Sequence, residues 1–244
     1  MDFKKILQNR IKKLYRKQEL VKVYSHPRSG THFLEAFVGR NFYKERNLLI
    51  KPITWGHWSN RRELAEGNPY GKLFGNHYFA ERNINDRPKI YIIRDVRAVA
   101  LSIWKTSNFV HPSNAGRSFA EFLRDNIDWS GTPAIESEPI LNIIEHWCLH
   151  VKSWLELEKT DNNLLIVRYE DLIDEPYKQY KRMRSKFFKW QWKKNSRGID
   201  PIQKPLGLLP NKGTKDAWEE FFTQDDLLFC DKIVRRYGLQ QYLT

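Results

Sequence analysis

Cysteine is scarce in this chain, and its scarcity removes whole classes of protein. Cys148 and Cys230 are the only two thiols among 244 residues. They supply neither a disulfide framework nor a metal-ligand cluster, so a reducing, cytoplasmic setting is expected. Long apolar runs are missing too. None approaches the roughly 20 residues that a membrane span requires, and the opening Met1-Asp-Phe-Lys-Lys-Ile-Leu-Gln-Asn-Arg10 has no secretory-signal core. Acidic residues are the third shortage: 29 Asp and Glu face 42 Lys and Arg, for a formal net charge of +13. Such an excess concentrates anionic ligands and makes association salt-sensitive. It does not name the anion: nucleic acid, an anionic membrane surface and a phosphorylated cofactor all stay open.

What is present reads as a soluble globular protein, 41% hydrophobic and 29% charged. There is no internal repeat and no low-complexity linker, so one domain is expected over 19–244, preceded by a basic helix over 1–18. In that helix Phe3, Ile6, Leu7, Ile11 and Leu14 fall at helical spacing among lysines and arginines. A solvated surface helix is the favoured reading, with peripheral membrane contact as the weaker one.

Three apolar runs read as strands: Leu20 to Tyr24, Ile90 to Ile93 and Leu164 to Val167. Helical patterns follow from Thr31 to Phe42, after Arg94-Asp95 with Asp95 as N-cap, and from about Glu138 to Lys159. Strands alternating with helices indicate an α/β domain with a central, mainly parallel sheet flanked by helices. In such sheets ligands bind beyond the carboxyl ends of the strands.

The first strand breaks into Pro27-Arg-Ser-Gly-Thr-His-Phe33. A strand, a tight turn and a helix in this order aim backbone N–H groups and the positive end of a helix at one point, which is a socket for phosphate. Arg28 adds charge; Ser29 and Thr31 add hydroxyls. The loop resembles a nucleotide-triphosphatase P-loop in form only, because the Gly-Lys-[Ser/Thr] ending is missing.

Four segments in order resemble the sulfotransferase family, whose donor is 3′-phosphoadenosine 5′-phosphosulfate (PAPS): the 27–33 loop, Tyr91 to Ser102, Val167 to Leu172, and Asn211 to Thr223. The resemblance spans about residues 20 to 238 and implies roles residue by residue. Arg28, Ser29, Gly30, Thr31 and His32 correspond to the 5′-phosphosulfate loop. Arg94 and Ser102 match the pair that holds the 3′-phosphate, and Lys212 with Gly213 a segment that closes on it. Tyr169 matches a tyrosine near the adenosine, and His77 the catalytic histidine. The implied reaction is metal-free, in-line transfer of a sulfuryl group to a hydroxyl or amine acceptor. Asn211 replaces an arginine, Phe33 a tryptophan and Gly75 a catalytic lysine of many members. The short stretch from Tyr169 to Asn211 implies a reduced lid.

The residues alone also admit a P-loop-type kinase using ATP, or a non-catalytic binder of nucleic acid or membrane. The latter would use the N-terminal helix and residues 178–197, part of a stretch from Pro176 to Ile199 in which nine lysines and arginines surround Phe187, Phe188, Trp190 and Trp192. An amphipathic helix with its aromatics inward is the more ordinary expectation there. His146 and His150 share a helical face, but no third ligand accompanies them in sequence and zinc is not expected. His26 is expected only to shape the loop. The acceptor, a small molecule, glycan or lipid, is not encoded legibly; Trp55, Trp58, Trp104 and Trp129 are pocket candidates, most of them expected in the core.

Overall fold

The computed structural model describes residues 20–43, 73–106, 112–114, 116–129, 140–199 and 216–244. The expected basic helix, Lys212, Gly213, Asn211, Trp55 and Trp58 lie outside these residues.

Among the described residues, three strands form one parallel sheet in the order β1-β2-β3. They are β1 (Lys22–Ser25), β2 (Lys89–Ile93) and β3 (Leu164–Arg168). Tyr24 pairs with Tyr91, and Tyr91 with Ile166, so all three carboxyl ends finish at the same edge. Every residue of β2 is buried, as a central strand covered on both faces demands.

Side chains alternate across the sheet and feed two cores. On one face Val21, Val23, Ile90, Ile92, Leu165 and Val167 pack with Leu34, Phe37 and Met183. These last belong to α1 (Thr31–Phe42) and to the helix Pro176–Phe187. On the other face Tyr24, Tyr91, Ile93 and Ile166 meet residues of α2 (Val96–Trp104), α3 (Phe119–Arg124) and α4 (Ile143–Glu158). The short α5 (Tyr169–Asp174) continues directly from β3 and leads into α6 (Pro176–Phe187), which has its proline in the first turn. A capping box of Thr223 and Asp226 starts α7 (Gln224–Arg236), which joins the second core. Helices on both faces of a parallel sheet make this the expected α/β architecture.

Boundaries moved, by a residue or two at β1 and by about five at the start of α4. β1 begins at Lys22 and runs to Ser25, and α4 begins at Ile143, where the Asn142 side chain accepts from the Glu145 N–H. Asp95 caps α2 as expected, accepting from the Arg97 N–H. The expectation of inward aromatics after Pro176 holds only in part. Phe188 is fully buried, stacked on Phe42, whereas Trp190 and Trp192 stand in solvent, Trp192 at 95% exposure. The helix ends at Phe187, before the helical period could carry them inward.

Candidate active site

At the carboxyl edge of β1 the chain turns through 26–30 into α1. Gly30 is the N-cap, in left-handed conformation at φ 91°, and no side chain caps the helix. The first turn of α1 carries no acidic residue, so the positive helix end is not neutralised from within and suits an external anion. A side chain at Gly30 would collide with Tyr169, whose ring carbon lies 2.4 Å from where a Cβ would stand. Arg28 also takes positive φ, 62°. For a non-glycine residue that is strain held by its surroundings.

Those surroundings are arginine and serine. Arg28 Nε donates to Ser102 Oγ at 3.0 Å, and Arg94 Nη1 donates to the Arg28 carbonyl at 3.3 Å. The Arg94 guanidinium lies over the Tyr169 ring, 4.5 Å from its centroid. Burial, and then the neighbouring Arg94 charge, push Arg28 down to about 10; it stays cationic at neutral pH. Two buried donors at this point have no protein partner, Ser29 Oγ and Arg94 Nε. Two cations, an uncapped helix end and two orphan donors fit an anionic group.

His77 sits behind the loop, 3% exposed. Its Nδ1 lies 2.7 Å from the Ser25 carbonyl and 3.1 Å from Ser25 Oγ, and Ser25 Oγ is 2.6 Å from Thr31 Oγ1. A carbonyl accepts only, so Nδ1 carries the hydrogen and the neutral ring keeps its lone pair on Nε2. The β1 terminus thereby sets the tautomer of the histidine and ties it to Thr31 of the loop.

Helix α4 holds the two halves in register. Trp147 Nε1 donates to the Arg94 carbonyl, His150 Nε2 lies 3.1 Å from the His77 carbonyl, and Trp154 Nε1 donates to the Tyr78 carbonyl. Ser153 Oγ accepts from the Ala80 N–H. Spacing of i, i+3 and i+7 puts the three rings on one helix face. The sequence reading missed all three as supports; donor-bearing aromatics at that spacing were the available signal. His150 Nδ1 is 2.7 Å from the Tyr91 hydroxyl, and His26 Nε2 is 3.0 Å from His146 Nδ1. His26, His146 and His150 thus meet beneath the loop, and His26 does more than shape it. No group of three or more metal-ligating side chains with cation-holding geometry occurs among the described residues.

A sulfotransferase domain model matches residues 77–237. The chain belongs to the sulfotransferase family. Rabbit (Oryctolagus cuniculus) amine sulfotransferase is 26% identical over 161 residues, which cover 62% of this chain and 50% of that protein. Rat (Rattus norvegicus) sulfotransferase 2A2 is 22% identical over 268 residues, covering 94% of this chain and 88% of that protein. The chain therefore matches half the length of the rabbit relative and most of the rat one. Among solved structures, mouse sulfotransferase SULT7A1 superposes with TM-score 0.60 at 19% identity, covering 93% of this chain and 90% of that one. A retinol dehydratase gives 0.54 at 15% identity, covering 90% and 80%. These likenesses extend the family fold across nearly the whole chain.

Within this sulfotransferase fold the residues singled out in sequence converge unevenly. Arg28, Ser29, Gly30, Thr31, Arg94, Ser102 and Tyr169 form one cluster, and His77 joins it through Ser25. His32 turns its side chain away along α1, its Nδ1 2.9 Å from Glu35 Oε2. Trp129 is fully buried, while Trp104 is partly buried and donates from Nε1 to the Arg117 carbonyl.

Proposed function

We propose that this sulfotransferase-family protein moves a sulfuryl group from PAPS to the hydroxyl or amine of a small, largely apolar acceptor. The observation that carries the reading is the convergence of Arg28, Arg94 and Ser102 around two unpartnered donors at an uncapped helix end. Both solved relatives described above were crystallised with PAP, the desulfated donor product, and the first relative is an amine sulfotransferase. The retinol dehydratase also held androsterone, an apolar alcohol. These support the donor and the class of acceptor.

Each residue has a task that its chemistry suits. Backbone N–H groups of Gly30, Thr31 and His32, with Ser29 Oγ, hold the 5′-phosphosulfate end. Arg28 faces the oxygen on which charge grows as the S–O bond breaks, and preorganised charge of this kind is a leading catalytic contribution. Arg94 and Ser102, joined by Lys212 and Gly213, bind the 3′-phosphate, and Tyr169 is the platform beside the adenosine. His77, with Nδ1 committed to Ser25, takes the acceptor's proton at Nε2. A cytoplasmic location fits two buried, unpaired thiols. Peripheral membrane contact through the basic segment 1–18 would add to this and is not required by the chemistry.

Calorimetry with PAP, followed by PAPS consumption across phenols, hydroxysteroids and amines, tests the reading. Tight PAP binding with weak adenosine diphosphate binding is expected; the reverse preference would favour an ATP-dependent kinase. His77→Ala should lower turnover by about 10²- to 10⁴-fold with PAP affinity retained. Unchanged turnover would place the base elsewhere.

A further inference from the structure

One carbonyl contact settles how the buried His26 and His146 share their protons. His26 Nδ1 is 3.1 Å from the Pro27 carbonyl, so it donates there and its Nε2 accepts. His146 Nδ1, 3.0 Å from that Nε2, must be the donor of the pair. The other nitrogen of a neutral His146 is then a bare lone pair, and this Nε2 is sealed from solvent with no partner. Burial keeps the ring neutral, pushing it down to about 3.

The Trp129 ring lies against it, centroids 5.1 Å apart at 42°. Trp129 Nε1–H is likewise buried and without a partner. Both residues have zero exposure. An orphan acceptor and an orphan donor on adjacent rings suit a group that does both. A carboxylate or sulfate would face the lone pair of His146, and an ammonium would face the N–H of Trp129. A neutral hydroxyl satisfies each.

The pair borders the transfer site. His26 joins His146 to Pro27 of the phosphosulfate loop. Phe79, two residues after His77, packs on His146 at 5.4 Å and on His150 at 5.1 Å. His150 in turn lies within hydrogen-bond distance of the His77 carbonyl. Aromatic walls with one or two fixed polar atoms are the usual make-up of a small-molecule site.

We propose that His146 Nε2 and Trp129 Nε1 bind a second, non-reacting hydroxyl of the acceptor and so make this enzyme select diols over mono-alcohols. The proposal rests on the transferase reading above. Its probes are hydroxysteroid pairs that differ only in one hydroxyl remote from the reacting one, assayed with PAPS. Wild type should prefer some diol by at least about tenfold in kcat/KM, and His146→Leu and Trp129→Phe should each cut that preference to about twofold. PAP affinity should match wild type in both variants. A crystal of wild type with PAP and the preferred diol should show its second hydroxyl on both atoms, and this settles the matter even if a variant fails to fold.

Absence of discrimination in wild type, or discrimination unchanged in both variants, overturns the proposal. So does a buried water that stays on the pair with acceptor bound, or a direct Trp129–His146 hydrogen bond. Failure of PAP binding and of all PAPS consumption would instead sink the transferase reading itself.

Discussion

Arg28 Nε donates to Ser102 Oγ across 3.0 Å, joining two residues that the family resemblance assigns to opposite ends of the donor. Arg28 belongs to the 5′ loop and Ser102 to the 3′-phosphate pair, yet the left-handed backbone at Arg28 turns its side chain onto α2. One guanidinium therefore touches both groups of residues proposed to hold the donor. Arg94 completes the arrangement from the end of β2 by bonding the Arg28 carbonyl.

That bridge makes Arg28 the costliest single loss. Hydrogen bonds to charged groups contribute about 1.5–3 kcal/mol, so Arg28→Ala should weaken PAP by roughly 10- to 100-fold. Ser102→Ala should cost less, because it removes one neutral hydroxyl and leaves both arginines in place. Isothermal calorimetry reads both; equal affinities for Arg28→Ala and wild type would remove Arg28 from the site.

Gly30→Ala tests the loop from the steric side. The added Cβ meets the Tyr169 ring at 2.4 Å while the backbone sits at φ 91°. Left-handed strain alone costs about 1–3 kcal/mol, and the ring must move as well. A lower urea midpoint and weakened PAP binding are expected together. Unchanged stability would mean that Tyr169 swings aside freely, ending its role as a fixed platform under Arg94.

The buried histidines predict an acid-sensitive fold. Burial lowers His26 far below its ordinary value of 6.5, His150 to about 4 and His146 to about 3. Above about pH 6.5 these groups are neutral folded or unfolded. Below that, the unfolded chain binds protons that the folded chain refuses, so stability falls as pH drops toward the folded values. Glu35 and Glu170, raised by burial, act in the opposite sense: their stabilisation is lost as pH rises through the folded values. The difference between wild type and His146→Leu isolates one histidine. The variant's unfolding free energy should lose less between pH 7 and pH 4.5, and parallel curves would contradict the assignment.

Cys148 and Cys230 should be silent in the native state. Both are buried, Cys230 at 1% exposure; burial raises Cys148 well above its usual value and pushes Cys230 up to about 12. Thiolate is the reactive form. An aromatic disulfide reagent should label neither at pH 7.5 without denaturant and both in it. Fast native labelling would show that α4 and α7 separate readily.

Much of this protein was written locally. The β2 run Ile90-Tyr-Ile-Ile93 announced a central parallel strand because a strand covered on both faces has no need of polar alternation. Thr31 to Phe42 and the Asp95 cap were legible because helix period and capping are short-range effects. The loop residues could be proposed from sequence because an anion socket requires a turn, a helix start and donors within a few positions.

Other features needed the folded chain. No spacing in the sequence indicates that Arg28 would reach Ser102, 74 positions away, or that His26 would meet His146, 120 positions away. The α4 rings that grip the Arg94, His77 and Tyr78 carbonyls could not be picked out in sequence, since a donor's partner is set by whichever carbonyl packing brings near. Trp190 and Trp192 went the other way, into solvent, because α6 stops at Phe187. The sequence by itself determined the turn from β1 into α1 and the α/β frame, through short-range backbone rules. Only the tertiary structure decided which buried atoms were paired and which were left bare, because pairing depends on side chains distant in sequence arriving in one dry place.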